Sequence, residues 1–101
     1  MLPFAAVKSR HGGQDRVSAK AKLARELIVL GDVLASTREH AKIKQNDLAA
    51  RLGLPASYLS KIENGSRRLD VIELIHIAEA LDVDPADIVR ELKRRLKESS
   101  R

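Results

Sequence analysis

The stretch Gln45–Gly65, QNDLAARLGLPASYLSKIENG, constrains this 101-residue chain more than any other. Two short amphipathic runs flank a glycine. Leu48, Ala49 and Leu52 fall at i, i+1 and i+4 and share one face of a first helix, while Leu59 and Ile62 fall at i, i+3 on a second. Gly53 stands where the first helix must end and the chain turn, which suits a residue free to take positive φ. Ala49 leaves room for the second helix to cross close above the first. The spacing predicts two short crossed helices, roughly 45–52 and 56–63, joined by a tight turn. The outward side of the second carries Ala56, Ser57, Ser60 and Lys61, and on periodicity alone these are an ordinary solvated face.

The rest of the chain supplies more helices and no strand. With 44% hydrophobic but only 2% aromatic residues, a core must be built from Leu, Ile, Val and Ala, which favours packed helices over a β-sandwich. Ser18 is placed to cap a helix, and Leu23, Leu27, Leu30 and Leu34 then form one stripe with Val33 beside it. Gly31 weakens that run by about 1 kcal/mol relative to Ala, so it reads as one helix or as a short one leading into a helix over 30–41. The stripe serves either the core or a dimer seam. Asn64-Gly65 ends the second motif helix, and Ser66 to Leu69 form a basic loop. Asp70 with Glu73 three residues on is a capping-box arrangement for a fourth helix facing inward with Val71, Leu74, Ile75, Ala78 and Leu81. Asp84 caps a fifth, with Pro85 at its first position and Ile88, Val89, Leu92 and Leu96 along one side. We take residues 1–20 as a flexible basic arm, 21–97 as the domain with its motif at 45–64, and 98–101 as a tail.

Charge and residue types narrow the function. There is no cysteine, hence no disulfide framework or thiolate metal site. No run reaches the roughly 18 apolar residues of a membrane span, so a cytoplasmic protein without membrane partners is expected. The net charge of +5 is uneven: residues 1–25 hold six Lys/Arg against one acid, and 85–101 hold six against three. Between them, Lys42, Lys44, Arg51, Lys61, Arg67 and Arg68 surround the two-helix motif while acids crowd at 70–84. A basic face backed by an acidic side suits a phosphate-bearing partner; solvated charged helices explain the total equally well. His11, His40 and His76 have no metal-ligand spacing, and no nucleophile–base set or Gly-rich phosphate loop appears, so neither an enzyme nor a cofactor is expected.

Taken together, Leu34, Arg38, Gln45, Leu48-Ala49, Leu52-Gly53, Leu59-Ser60, Ile62-Glu63-Asn64-Gly65 and Leu81 resemble the Cro/C1-type, or XRE-like, helix-turn-helix family over about residues 28–92. The resemblance implies an all-α, five-helix, lambda-repressor-like bundle that binds double-stranded DNA, typical of phage repressors and bacterial regulators. It places Gln45 on a DNA phosphate and Ala56, Ser57 and Lys61 on base edges; with the helix so placed, Tyr58 would lie against sugar-phosphate and Ser60 on the same outward face. Asn64, Arg67 and Arg68 resemble backbone-clamping positions. Arg38 and Glu63 resemble a partly buried structural ion pair. Lys44 and Pro55 depart from the usual capping Ser or Thr, Lys42 from a common glycine, and Leu69 from a common proline. The function implied is a homodimeric, sequence-specific repressor, its dimer surface helix 5, the Leu23–Leu34 stripe, or both. The alternative is an antitoxin-type module that also binds a partner protein.

Overall fold

The computed structural model describes residues 16–99, and among these it shows five helices and no strand. They are α1 (Arg16–His40), α2 (Gln45–Leu52), α3 (Ala56–Glu63), α4 (Val71–Leu81) and α5 (Pro85–Ser99). Helix α1 packs on α3 and α5, α2 on α3 and α4, and α4 on α5. None is long and apolar enough to cross a membrane. The expected arm at 1–20 falls mostly outside the described residues; its last part, from Arg16, is already helical, and Ser18 lies inside α1 instead of capping it. At the other end α5 continues to Ser99, into the expected tail.

Gly31 does not divide α1, and its surroundings show why it is there. Gly31 is buried, and a Cβ on it would press into the carbonyl oxygen of Glu63 and lie 2.7 Å from that of Ile62. The missing side chain is the seat on which the end of α3 rests. A second close approach follows at Gly65, where a Cβ would lie 2.7 Å from Cγ1 of Ile28.

Helices α1 to α4 all end by one device. The residues after them, Lys42, Gly53, Gly65 and Asp82, have φ of 63°, 70°, 82° and 60°. In each case the N–H of the left-handed residue bonds three residues back and the next N–H bonds five back, as in Gly53 to Ala50 and Leu54 to Ala49. Asn64 is not left-handed, at φ −91°; Gly65 alone makes that turn. Helix starts are less uniform. Asp70 and Glu73 form the full capping box of α4, whereas Lys44 and Pro55 give α2 and α3 no side-chain cap.

The core joins Val33 and Leu34 of α1, Leu48 and Ala49 of α2, Leu59 and Ile62 of α3, Ile77, Ala78 and Leu81 of α4, and Ile88 of α5. Two expected inward positions are corrected. Val71 is 69% exposed and Ile77 takes the buried place, while on α5 Val89 is 42% exposed beside buried Ile88. The α1 stripe enters the core only at its C-terminal end: Leu34 is buried, Leu27 and Leu30 are half-buried, and Leu23 is exposed.

Candidate nucleic-acid interface

Helix α3 has two unlike sides. Leu59 and Ile62 are buried, whereas Ala56, Ser57 and Lys61 are exposed. Ser60 is half-buried and its hydroxyl donates to the carbonyl of Ser57 at 3.2 Å. The outward groups therefore sit on a helix whose other side is fixed by packing, and the backbone seat on Gly31 holds its last turn close to α1.

A polar network locks the same end. Arg38 meets Glu63 through two parallel hydrogen bonds, Nε to Oε2 at 2.7 Å and Nη2 to Oε1 at 3.0 Å, and its Nη1 donates to the carbonyl of Ile43 at 2.8 Å. The side chains are 11% and 8% exposed. Gln45, the first residue of α2, joins them: its Nε2 donates to Oε1 of Glu63 at 2.8 Å. One carboxylate thus ties together α1, the start of α2 and the end of α3. Asn64 folds locally, its Oδ1 accepting from the N–H of Ser66 at 2.9 Å.

The basic residues around the motif separate into two groups. Arg51 donates to the carbonyl of Ala80 at 3.1 Å, at the end of α4, where a cation complements unpaired carbonyls. Arg67 turns inward to Glu73 and lies over the Tyr58 ring. Lys42, Lys44, Lys61 and Arg68 are exposed and their side chains have no ion-pair partner among the described residues. Tyr58 and Arg67, both expected at DNA, are therefore brought to each other and to α4. Burial, followed by hydrogen bonding to the Glu73 carboxylate, raises the Tyr58 phenol above its ordinary value of 10.0. Glu73, which the sequence marked only as a capping residue, is the hub here; its carboxylate is held at about 2 by hydrogen bonds from Arg67 and from the Asp70 backbone.

Two crossed short helices in a five-helix bundle, the second with a free polar side, define a helix-turn-helix DNA-binding domain. Comparison with known proteins agrees. The helix-turn-helix family matches residues 34–88, and the chain belongs to that family in its Cro/C1-type, XRE-like form, a family of DNA-binding transcriptional regulators. It is 39% identical over 51 residues to an uncharacterized HTH-type transcriptional regulator, y4dL, of Sinorhizobium fredii, covering 50% of this chain and 26% of that relative. Among solved structures, an XRE-family like protein from Pseudomonas syringae pv. tomato is 36% identical with a TM-score of 0.64, covering 83% of this chain and 98% of the other. The restriction-modification controller protein C.AhdI from Aeromonas hydrophila is 30% identical with a TM-score of 0.60, covering 63% and 97%.

Proposed function

We propose that this chain is a sequence-specific transcriptional regulator, a cytoplasmic dimeric repressor that lays α3 in the major groove of double-stranded DNA and occupies an operator. The observation that carries this reading is the division of α3, with Leu59 and Ile62 buried and Ala56, Ser57 and Lys61 exposed and unengaged. A helix fits the major groove, where its early residues meet base edges and flanking groups grip phosphates. In this reading Lys61 meets guanine O6 and N7, and Ala56 and Ser57 meet a thymine methyl or a single acceptor. Gln45, Ser60, Asn64 and Arg68 follow the sugar-phosphate backbone. Because Gln45 already donates one amide hydrogen to Glu63, its second is the one available to a phosphate.

A single α3 spans only a few base pairs, so specific affinity calls for two copies on two half-sites. Leu23 and Leu27 of α1 and Val89, Leu92 and Leu96 of α5 are exposed or half-buried, and a second copy would cover them. Binding to the chain's own upstream region and to random duplex, titrated with salt, tests the reading; equal affinity for both would sink it. Lys61→Ala is expected to lose about 1–3 kcal/mol of discrimination at one base position, and Asn64→Ala to weaken all sequences alike.

The antitoxin-type reading draws on a different observation. Helical residues 16–33 and 89–99 lie outside the segment that matches the family, and in this reading a partner protein would dock on their exposed positions, such as Lys20, Leu23, Val89 and Lys93. Co-purification of a second chain in fixed proportion would favour it.

A further inference from the structure

Arg67 is engaged in a way that a phosphate clamp would not be. Its Cζ lies 4.5 Å from the centroid of the Tyr58 ring. Nη1 donates to Oε1 of Glu73 at 3.3 Å and to the carbonyl of Arg68 at 2.8 Å, and Nη2 donates to Oε2 of Glu73 at 3.0 Å. A guanidinium has five N–H donors in a fixed plane, and here three of them serve the fold and one face lies against a ring. Glu73 is itself anchored: its Oε1 accepts from the N–H of Asp70 at 2.9 Å, while Asp70 Oδ1 accepts from the N–H of Glu73 at 2.7 Å. The carboxylate is therefore set in place by the start of α4. The fork and the stack leave a phosphate only the donors on Nε and the second hydrogen of Nη2, and they fix the guanidinium plane from which those two point. The next residue, Arg68, is exposed and its side chain has no partner among the described residues.

We infer that Arg67 is a positioning residue, a brace that fixes Tyr58 and the first turn of α3 against α4 through Glu73, and that the phosphate contact of this loop belongs to Arg68. Helix α3 is then pinned at both ends by an Arg–carboxylate fork, Arg38 with Glu63 at its C-terminal end and Arg67 with Glu73 beside its first turn. The pair fixes the angle at which the outward residues are presented. The effect on DNA affinity rests on the function proposed above; the brace itself does not.

Lysine substitutions separate the two roles, because lysine keeps the charge but lacks the planar fork. Across a salt series Arg68→Lys should keep the wild-type slope, because the charge stays, whereas Arg68→Gln should lower the slope by about 0.9 for each bound copy, the loss of one phosphate contact per half-site. Arg67→Lys should weaken binding to every duplex by about threefold to tenfold with the slope unchanged. Glu73→Gln should do the same, and the double variant should be no weaker than either single one. If Arg67→Lys binds as wild type, or Glu73→Gln binds more tightly with a steeper slope, Arg67 is a phosphate ligand that Glu73 restrains and the inference is overturned. Tyr58 is the chain's sole tyrosine and there is no tryptophan, so near-ultraviolet circular dichroism and tyrosine emission read the brace without DNA. Both signals should change in Arg67→Lys and Glu73→Gln and not in Arg68→Lys; a tyrosine indifferent to all three rules out the brace. A chain that binds no duplex while its tyrosine responds loses the DNA reading and retains the brace.

Discussion

At the scale of single residues, Gly31 acts through the side chain it lacks. Helix propensity alone says that Gly31→Ala stabilises α1 by about 1 kcal/mol. The new methyl, however, would collide with the carbonyls of Ile62 and Glu63, and overpacking of this kind costs about 1–3 kcal/mol. Urea unfolding should therefore show Gly31→Ala to be net destabilised. The sequence marked this glycine as a weak point because propensity is local, whereas the seat depends on a residue some thirty positions away. For the same reason Gln45, Tyr58 and Arg67 were legible as candidate DNA contacts, and Glu63 as the partner of Arg38, but the contacts of Gln45 with Glu63 and of Tyr58 and Arg67 with Glu73 were not. Acid titration tests the Glu73 hub. Glu73 and Glu91 are both lowered from 4.5 to about 2, Glu73 chiefly by Arg67 and Glu91 by Arg94 and then Arg95. A depressed carboxylate pKa stabilises the fold fully above the unfolded value, and that contribution is lost as pH falls toward the folded one. Stability should thus decline from about pH 5 toward pH 2, and Glu73→Gln should flatten part of that decline. Both carboxylates are partly solvated, at 24% and 35% exposure, so solvent screening keeps the effect small.

At the scale of elements, the turn after α2 and the cap of α4 were easier to read than the face of α4. The capping box at Asp70 and Glu73 and the turn at Gly53 are local chemistry and stand as the sequence indicated. The face of α4 could not be read in the same way, because Val71, Ile72, Leu74, Ile75, Ile77, Ala78, Ala80 and Leu81 make it apolar almost all round. Periodicity then gives no preferred side, and contact with α2 and α5 decides that Ile77 is buried and Val71 is not. Two ends remain open to improvement. Lys42 holds a left-handed conformation at φ 63° that a side chain disfavours by about 1–2 kcal/mol. Lys42→Gly recovers this less the extra freedom glycine gives the unfolded chain, a gain of about 0.5–1 kcal/mol in thermal unfolding. Lys44 leaves α2 without a side-chain cap, and Lys44→Ser should add about 1 kcal/mol.

At the scale of the whole molecule, net charge was a poor guide and its placement a better one. Of the six basic residues around the motif, Arg51 and Arg67 serve internal contacts, leaving Lys42, Lys44, Lys61 and Arg68 to solvent. Sequence composition cannot make this distinction, since a carbonyl or carboxylate partner comes from another helix. The fold class was legible because aliphatic periodicity, glycine turns and caps all agree. How two copies meet was not, because the α1 and α5 strips look alike in sequence whether they face a core or another chain. The dimer proposed above predicts that sedimentation gives twice the chain mass at micromolar concentration. Val89→Glu, on the exposed side of α5, should shift it to the monomer and lower operator affinity without changing the helical signal.

Helix α3 rests on α1 where Gly31 and Gly65 bring main chain against its neighbour. Backbone contacts do not depend on which side chains the helix carries outward, so mutation at positions 56, 57 and 61 leaves the mounting intact. If these positions read DNA as proposed above, a lineage carrying this domain can change the sequence it recognises without repeatedly passing through unfolded intermediates. Grafting other polar residues at those three positions should move the melting free energy by no more than about 0.5 kcal/mol while the preferred duplex changes.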